Sequence, residues 1–267
     1  MSDAVDLVIA GHSHSVLDAR VPNRTGRGDK LVVEAGEYGT AYDRAVLTID
    51  RASGDVVKKR ASVRRTWNAD VAPRSDVTAL VAEYAGRAAR LGGQVLGHLR
   101  RGLRRRAGSD ADGLGRLMAD SQRSLARADV AFVDPVSIRA GLKPGPVTYS
   151  GLFEVAPYEH PVLRMKIRGE ALARVVASQK GERSGPKLIS SGVRARGTAL
   201  SLEAGGYVEP RRTYTVAAGV LLATGRRAPL LREATWERRP VGTELDALVS
   251  RFRSSIGASG REDQARE

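Results

Sequence analysis

The sequence predicts a layered α/β (α+β) fold built in more than one part, and three features predict it. Strand-like and helix-like segments mix along the 267 residues without strict alternation. Hydrophobic residues make up 42%, enough for a core and too many for a disordered chain. One long amphipathic stretch, 75–91, separates a strand-rich opening from a mixed remainder.

The opening reads as a run of sheet-edge strands. DLVIA, 6–10, is a short apolar run expected to be a buried strand, and it leads into Gly11, His12, Ser13 and His14. KLVVEAGEYG, 30–39, reads as a strand followed by a turn. The stretch 44–65 reads as a hairpin, because apolar and polar residues alternate and Ser53-Gly54 supplies the turn. Ser75 then caps a helix whose apolar face is Val77, Leu80, Val81, Tyr84, Ala88 and Leu91, with Gly92-Gly93 as the stop.

The remainder opens at Asp112, a candidate cap for a helix carrying the stripe Leu114, Leu117, Met118 and Leu125. DVAFV, 129–133, is a strand, and DPVSIRAGLKPGP is a loop rich in Pro and Gly. GLFEVAPYEHPVLRMKIRGEALARVVASQ gives a turn, an alternating strand and a helix from about Gly169. LISSG, ALSLEAGG and TYTVAAGVLLATG are further strands, and ELDALVSRFRSSI is the last helix. The polar tail after Gly257 is expected to fray.

Composition excludes several classes. No apolar run is long enough to span a bilayer. Without cysteine there is no disulfide or thiolate metal site. No signal peptide is visible, and the compartment is left open. The formal charge of +14 invites a nucleic-acid partner. The arginines are spread through an Ala- and Gly-rich chain, however, as a high-GC coding bias would spread them. Their one dense cluster, RRGLRRR at 100–106, has no interleaved aromatic for base stacking, so nucleic acid is not the expected partner.

His12 and His14 are candidate metal ligands, since imidazole binds divalent transition metals and Gly11 lets the chain turn at a strand end. On spacing alone, two surface-loop histidines are as good a reading. The order VDLVIAGHSH, then KLVVEAGEYGTAYDRAVLTIDRASGDVV, resembles the closing segment of a calcineurin-like metallophosphoesterase domain. GLGRLMADSQ, ADVAFVDPVSIRAGL and VTYSGLFEVAPYEHPVLRMKIRGEAL are similar to the C-terminal domain of the 5′-nucleotidase and 2′,3′-cyclic-nucleotide phosphodiesterase family. The resemblance divides the chain into a metallophosphoesterase remnant at 1–66, a linker helix with the basic segment at 67–106, a substrate-binding domain at 107–257 and a disordered tail at 258–267.

The resemblance implies phosphate-ester hydrolysis by two divalent metal ions about 3.5–4 Å apart, which activate a water for in-line attack. His12 would ligate one ion and His14 the other, and the linker helix would be the pivot for a domain rotation. The implied ligand is a nucleotide or other phosphate-ester small molecule, and such proteins are commonly exported. The family's Asp-x-His, Gly-Asp-x-x-Asp and Asn-His-Glu or Asn-His-Asp motifs do not occur here. The chain is therefore expected to be the C-terminal portion of such a hydrolase, parted from a catalytic half that would be its partner.

The implied nucleoside site is altered. Arg139 matches the family's phosphate- or ribose-contacting arginine, while Asp134 replaces an asparagine and puts an anion near a phosphate. Lys187 and Leu221 stand where two base-clamping phenylalanines are expected, and Arg227 ends a stretch that replaces Gly-Gly-Asp. Asp120 is expected to hold a neighbouring loop, and Tyr158 and His160, in PYEHP, to shape a turn. Two alternatives to the hydrolase stay open: a non-catalytic descendant that binds an anionic ligand, and a basic nucleic-acid-binding protein.

Overall fold

The computed structural model describes residues 2–67, 69, 71–105, 113–180, 188–196, 199–225 and 228–263. The chain forms two compact units, Met1–Ala82 and Glu83–Glu267. The helix α1 (Ser75–Gly92) runs through the boundary between them.

The first unit is built of strands. β1 (Leu7–Ile9), β2 (Val16–Pro22) and β3 (Asp29–Ala35) form a sheet in the order β1-β3-β2, with β1 parallel and β2 antiparallel to β3. β4 (Ala41–Ile49) and β5 (Val56–Arg65) form the expected hairpin. Its turn uses Gly54 at φ 77°, where a Cβ would be strained. Burial centres on β3, with Leu31 and Val33 inside. Two charged residues of β3 are buried beside them: Lys30 reaches Asp3 at 3.0 Å, and Glu34 takes hydrogen bonds from the Ser13 side chain and the Ser15 backbone. The sequence predicts a buried β1, but Ile9 is 70% exposed. It lies on an outer strand of the sheet, which is paired along one edge only among the described residues.

The second unit is a three-layer sandwich. β7 (Val130–Val133), β9 (Pro161–Arg168), β10 (Ile189–Ser191), β13 (Thr213–Gly219) and β14 (Thr235–Thr243) form a sheet in the order β10-β7-β13-β9-β14. Only the central pair, β7 and β13, is parallel. Every residue of β7 is buried, which is why VAFV reads as a continuous apolar run instead of an alternating one.

Side chains alternate between the two faces of this sheet. Phe132, Met165, Ile167 and Val216 join Leu172, Leu222 and Leu231 from α4 (Gly169–Ala177), α5 (Val220–Thr224) and α6 (Pro229–Ala234). On the other face Val133 and Ile189 join Met118 of α2 (Leu114–Ala126), Leu152 of α3 (Tyr149–Val155) and Leu248 and Phe252 of α7 (Glu244–Asp263). A two-stranded ribbon, β6 (Val95–Leu99) with β8 (Gly145–Thr148), closes that layer through Leu96 and Val147. A small hairpin, β11 (Val193–Arg196) with β12 (Ala199–Leu202), completes the unit.

Several elements depart from the sequence reading. The sequence places VLGHL within the linker; it is β6, a strand of the second unit, with Leu96 in the core. Its glycine is required, because a Cβ on Gly97 would meet Phe252 Cδ1 at 2.7 Å. GLFEV, which reads as a turn, belongs to α3, capped by the Thr148 side chain accepting from the Gly151 backbone. In TYTVAAGVLLATG the strand stops at Gly219 and α5 follows. α1 begins at Ser75 as expected, yet none of its residues is buried, and Val77, Leu80, Val81, Tyr84 and Leu91 are half or more exposed. α7 continues past Gly257 to Asp263, and the cap expected at Asp112 lies outside the described residues.

Candidate functional site

The parallel pair β7–β13 ends in one place, and in open α/β sheets the carboxyl end of parallel strands is where the chain leaves a crevice. β7 runs into Asp134, and β13 runs into Gly219 and α5. The antiparallel β9 begins at this same edge, since Val162 pairs with Gly219. β14 ends there, since Thr243 pairs with Pro161, and Glu244 opens α7. Topology alone therefore brings Asp134, His160, Gly219 and Glu244 together from four distant parts of the sequence.

Glu244 is the most perturbed group at this edge. Its backbone N–H donates to the His160 carbonyl at 3.0 Å, and its side chain turns inward and is buried. Burial pushes its carboxyl up to about 7; the neighbouring Asp134 charge adds to the rise, and a hydrogen bond from Gln122 opposes it. That bond is long, Gln122 Nε2 to Glu244 Oε1 at 3.5 Å. Gln122 Oε1 is buried with no hydrogen-bond partner among the described residues. With the amide turned over, a protonated Glu244 can donate to that oxygen. The His160 imidazole approaches the other carboxyl oxygen, Nδ1 to Oε2 at 3.8 Å.

Outward from this carboxyl the side chains form a stack. The rings of His160 and Tyr158 lie face to face, centroids 5.3 Å apart, around Glu159 at φ 49°. The Arg139 guanidinium sits over the Tyr158 ring, Cζ 5.8 Å from its centroid. The loop between Asp134 and Arg139 holds both in place. The Asp134 side chain accepts from Val136 N at 3.1 Å and caps a short 3-10 turn, Pro135–Ser137, and the Arg139 N–H donates to Val155 O at 2.9 Å. Tyr158 is 57% exposed, so one edge of the stack meets solvent. The arrangement presents a cation and a flat ring outward, with a titratable buried carboxyl behind them.

Of the residues singled out from the sequence, Asp134 and Arg139 lie in this cluster. Leu221 lies on α5 at the same sheet edge, 59% exposed, and no described contact joins it to the stack. Lys187 and Arg227 lie outside the described residues. The sequence reads Tyr158 and His160 as turn residues; they form the stack as well as the turn. Glu244 is not singled out by the sequence, because its burial comes from long-range packing that a single sequence does not display.

Asp120 does hold a neighbouring segment. Arg116 on α2 reaches Asp120 at 3.0 Å and Glu203 at 2.6 Å, and Ser191 donates to Asp120 at 2.5 Å. Glu203 also accepts from Gly192 N and Arg194. Arg116 and these neighbours hold the Glu203 carboxyl down at about 2.

His12 and His14 sit in the turn after β1, both at positive φ, 71° and 59°. Ser13, between them, lies 2.8 Å from both carboxyl oxygens of Glu34, and Ser15 N donates to Glu34 at 3.2 Å. His14 pairs through Nδ1 with Glu37 and meets the Tyr38 ring edge-on. Among the described residues no group of three or more His, Asp or Glu side chains is assembled that could hold a metal ion. A two-metal centre needs more donors than this turn gathers, so the residues present do not fit one.

Residues 85–229 match the family model of the 5′-nucleotidase C-terminal domain. The chain is 28% identical to Endonuclease YhcR of Bacillus subtilis over 260 residues, which cover 94% of this chain and 21% of that protein. The fold is that of a 5′-nucleotidase precursor from Thermus thermophilus, with a TM-score of 0.75 at 22% identity over 94% of this chain and 56% of that one. The sulfate thiohydrolase SoxB of Thermus thermophilus has the same fold at a TM-score of 0.64 and 19% identity, over 94% of this chain and 48% of that one. This chain thus spans about a fifth of the curated relative and about half of the solved structures.

Proposed function

Because the chain belongs to the family of the 5′-nucleotidase C-terminal domain, we propose that it is the nucleotide-holding part of a phosphoric-ester hydrolase of the 5′-nucleotidase type. The observation that carries this reading is the stack at the carboxyl ends of β7 and β13. There a guanidinium fixed by a loop lies over a half-exposed aromatic ring, itself against a second ring. A phosphate matches the guanidinium, and a base can lie against the solvent-facing edge of the Tyr158 ring. Leu221, at the same edge, would add apolar contact, and Lys187 and Arg227 would add positive charge. Asp134 limits affinity, because a buried carboxylate near a bound phosphate opposes it.

The family implies divalent metal ions, to which His12 and His14 would contribute as ligands. No hydrolytic step is assigned to them, since the described residues around them do not complete a metal centre. That geometry favours a second reading, in which this chain holds its ligand without turnover.

Calorimetric titration with adenosine monophosphate, adenosine and inorganic phosphate tests the proposal. The monophosphate should bind most tightly of the three, and Arg139→Ala should remove its advantage over adenosine. No heat with any mononucleotide at millimolar concentration would sink the reading.

A further inference from the structure

Arg100 to Arg105, which follow β6, lie on a paired ribbon of the second unit. β6 pairs with β8 from Val95↔Thr148 to Leu99↔Gly145, and the pairing resumes further on as a bridge between Leu103 and Leu142. That bridge is bonded in both directions, Leu103 N to Leu142 O at 2.8 Å and Leu142 N to Leu103 O at 2.7 Å. Two glycines allow the backbones to approach this closely. A Cβ on Gly141 would lie 2.8 Å from Leu103 O and 3.3 Å from Arg105 N, and one on Gly102 would lie 3.0 Å from Leu142 O. Leu142 is buried and anchors the ribbon to the core.

Arg100, Arg101, Arg104, Arg105 and Lys143 are all exposed on this ribbon. Neither 95–105 nor 139–148 contains an acidic residue. Among the described residues no carboxylate pairs with these five side chains. Elsewhere many of the chain's cations do find acids, as Arg116, Lys30, Lys59 and Lys166 do. A coding bias for arginine explains their number but not why these lie together without counter-charges on one paired ribbon. The same loop carries Arg139, four residues before Lys143, so the two cations are within about 14 Å of chain reach.

We propose that this basic ribbon binds the phosphate backbone of a single-stranded nucleic acid, one nucleotide of which enters the Asp134–Arg139 site. The inference rests on the nucleotide reading of that site and names its substrate class. Phosphates are the partner because four guanidiniums and an ammonium without counter-charge attract a polyanion, and guanidiniums take phosphate oxygens in pairs. A single strand is required because a base can reach the exposed edge of Tyr158, beside Arg139, only when that base is free of a duplex. No aromatic lies within the ribbon, so it recognises charge and not sequence.

The test is fluorescence anisotropy of the 267-residue chain with a labelled single-stranded oligonucleotide at about 50 mM and about 200 mM salt. Titrations with adenosine monophosphate and with phosphatidylserine vesicles run beside it. The parent should hold the oligonucleotide and release it as salt rises. Replacing Arg100, Arg101, Arg104 and Arg105 by Gln should make the slope of log affinity against log salt shallower by about 3, and Lys143→Gln alone by about 0.7. Adenosine monophosphate affinity should stay unchanged in both variants. The ribbon proposal is overturned if the parent does not retain the oligonucleotide at low salt, or if the fourfold variant retains it with the parental slope. It is overturned equally if the substitutions abolish vesicle binding and spare the oligonucleotide. Failure of the parent to bind adenosine monophosphate removes the nucleotide reading instead, and the two failures are read separately.

Discussion

The carboxyl of Glu244 occupies the space that a side chain at residue 219 would need: a Cβ on Gly219 would lie 2.5 Å from Glu244 Oε1. The last residue of β13 and the first of α7 thus share one volume, although two helices and a strand separate them in sequence. Gly219 has an ordinary extended backbone, so what demands glycine is this close approach. Gly219→Ala should force the carboxyl away from Gln122 and destabilise the second unit by about 1–3 kcal/mol. Chemical denaturation of the two proteins measures the difference.

Glu244 should also make stability depend on pH. Its folded-state carboxyl titrates near 7, above the 4.5 of a free one, so the fold favours the protonated form. Stabilisation from this group is complete below about pH 4.5 and is lost as the pH rises through about 7. At about 1.4 kcal/mol per tenfold, the loss is on the order of 3 kcal/mol. Glu244→Gln should flatten the fall between about pH 5 and pH 8. Equal pH dependence of unfolding in parent and variant would mean that the carboxyl is not desolvated as described.

Asp134→Asn tests the electrostatics of the proposed binding edge. Asparagine can still cap the Pro135–Ser137 turn through its side-chain oxygen, so the loop should keep its shape. With the negative charge gone, an anionic ligand should bind several-fold more tightly, by about 1 kcal/mol. Titration with inorganic phosphate reads this directly, and weaker phosphate binding by the variant would contradict it.

Glu203→Ala should be among the more damaging changes away from the sheet edge. It removes partners from Arg116, Arg194 and Gly192 N together and leaves a half-buried guanidinium on α2 without its second acid. A loss of about 2–4 kcal/mol is expected, visible as a lower melting temperature. Because the carboxyl is held down at about 2, its contribution is present above pH 4.5 and is lost as the pH falls toward 2. The variant should therefore differ from the parent most near neutral pH and least in acid.

How much of the molecule is legible in the sequence depends on how local the signal is. DVAFV, PVLRMKIR and the stretch from Gly169 are strands and helix as read, because burial and alternation are written in adjacent residues. β6 escapes the reading, because Gly97 looks like a breaker until Phe252 is seen lying on it. β14 escapes it too: TWERRPVGT carries a proline, charges and two register shifts, which an outer strand tolerates. The apolar spacing of α1 promises a buried face; the helix is there and the burial is not. At the site, Asp134 and Arg139 stand out through their loop, while Glu244 looks like any acid in the first turn of a helix. Its character comes from Gln122, His160, Asp134 and Gly219, none of them near it in the chain.

The parallel pairing at the heart of the second unit has a consequence for how the protein is made. Val130 lies beside Val216, and Asp129 holds the Thr215 backbone and hydroxyl from 86 positions away. A nascent chain that has left the ribosome only as far as β10 has one edge of β7 without a partner. It also carries the loop from Asp134 to Arg139 before Gly219 and Glu244, which meet at the same sheet edge, have been synthesised. The central sheet can close only when nearly all of the unit has emerged, so this half of the molecule is expected to fold late and in one step, with β7 vulnerable to wrong pairing until then.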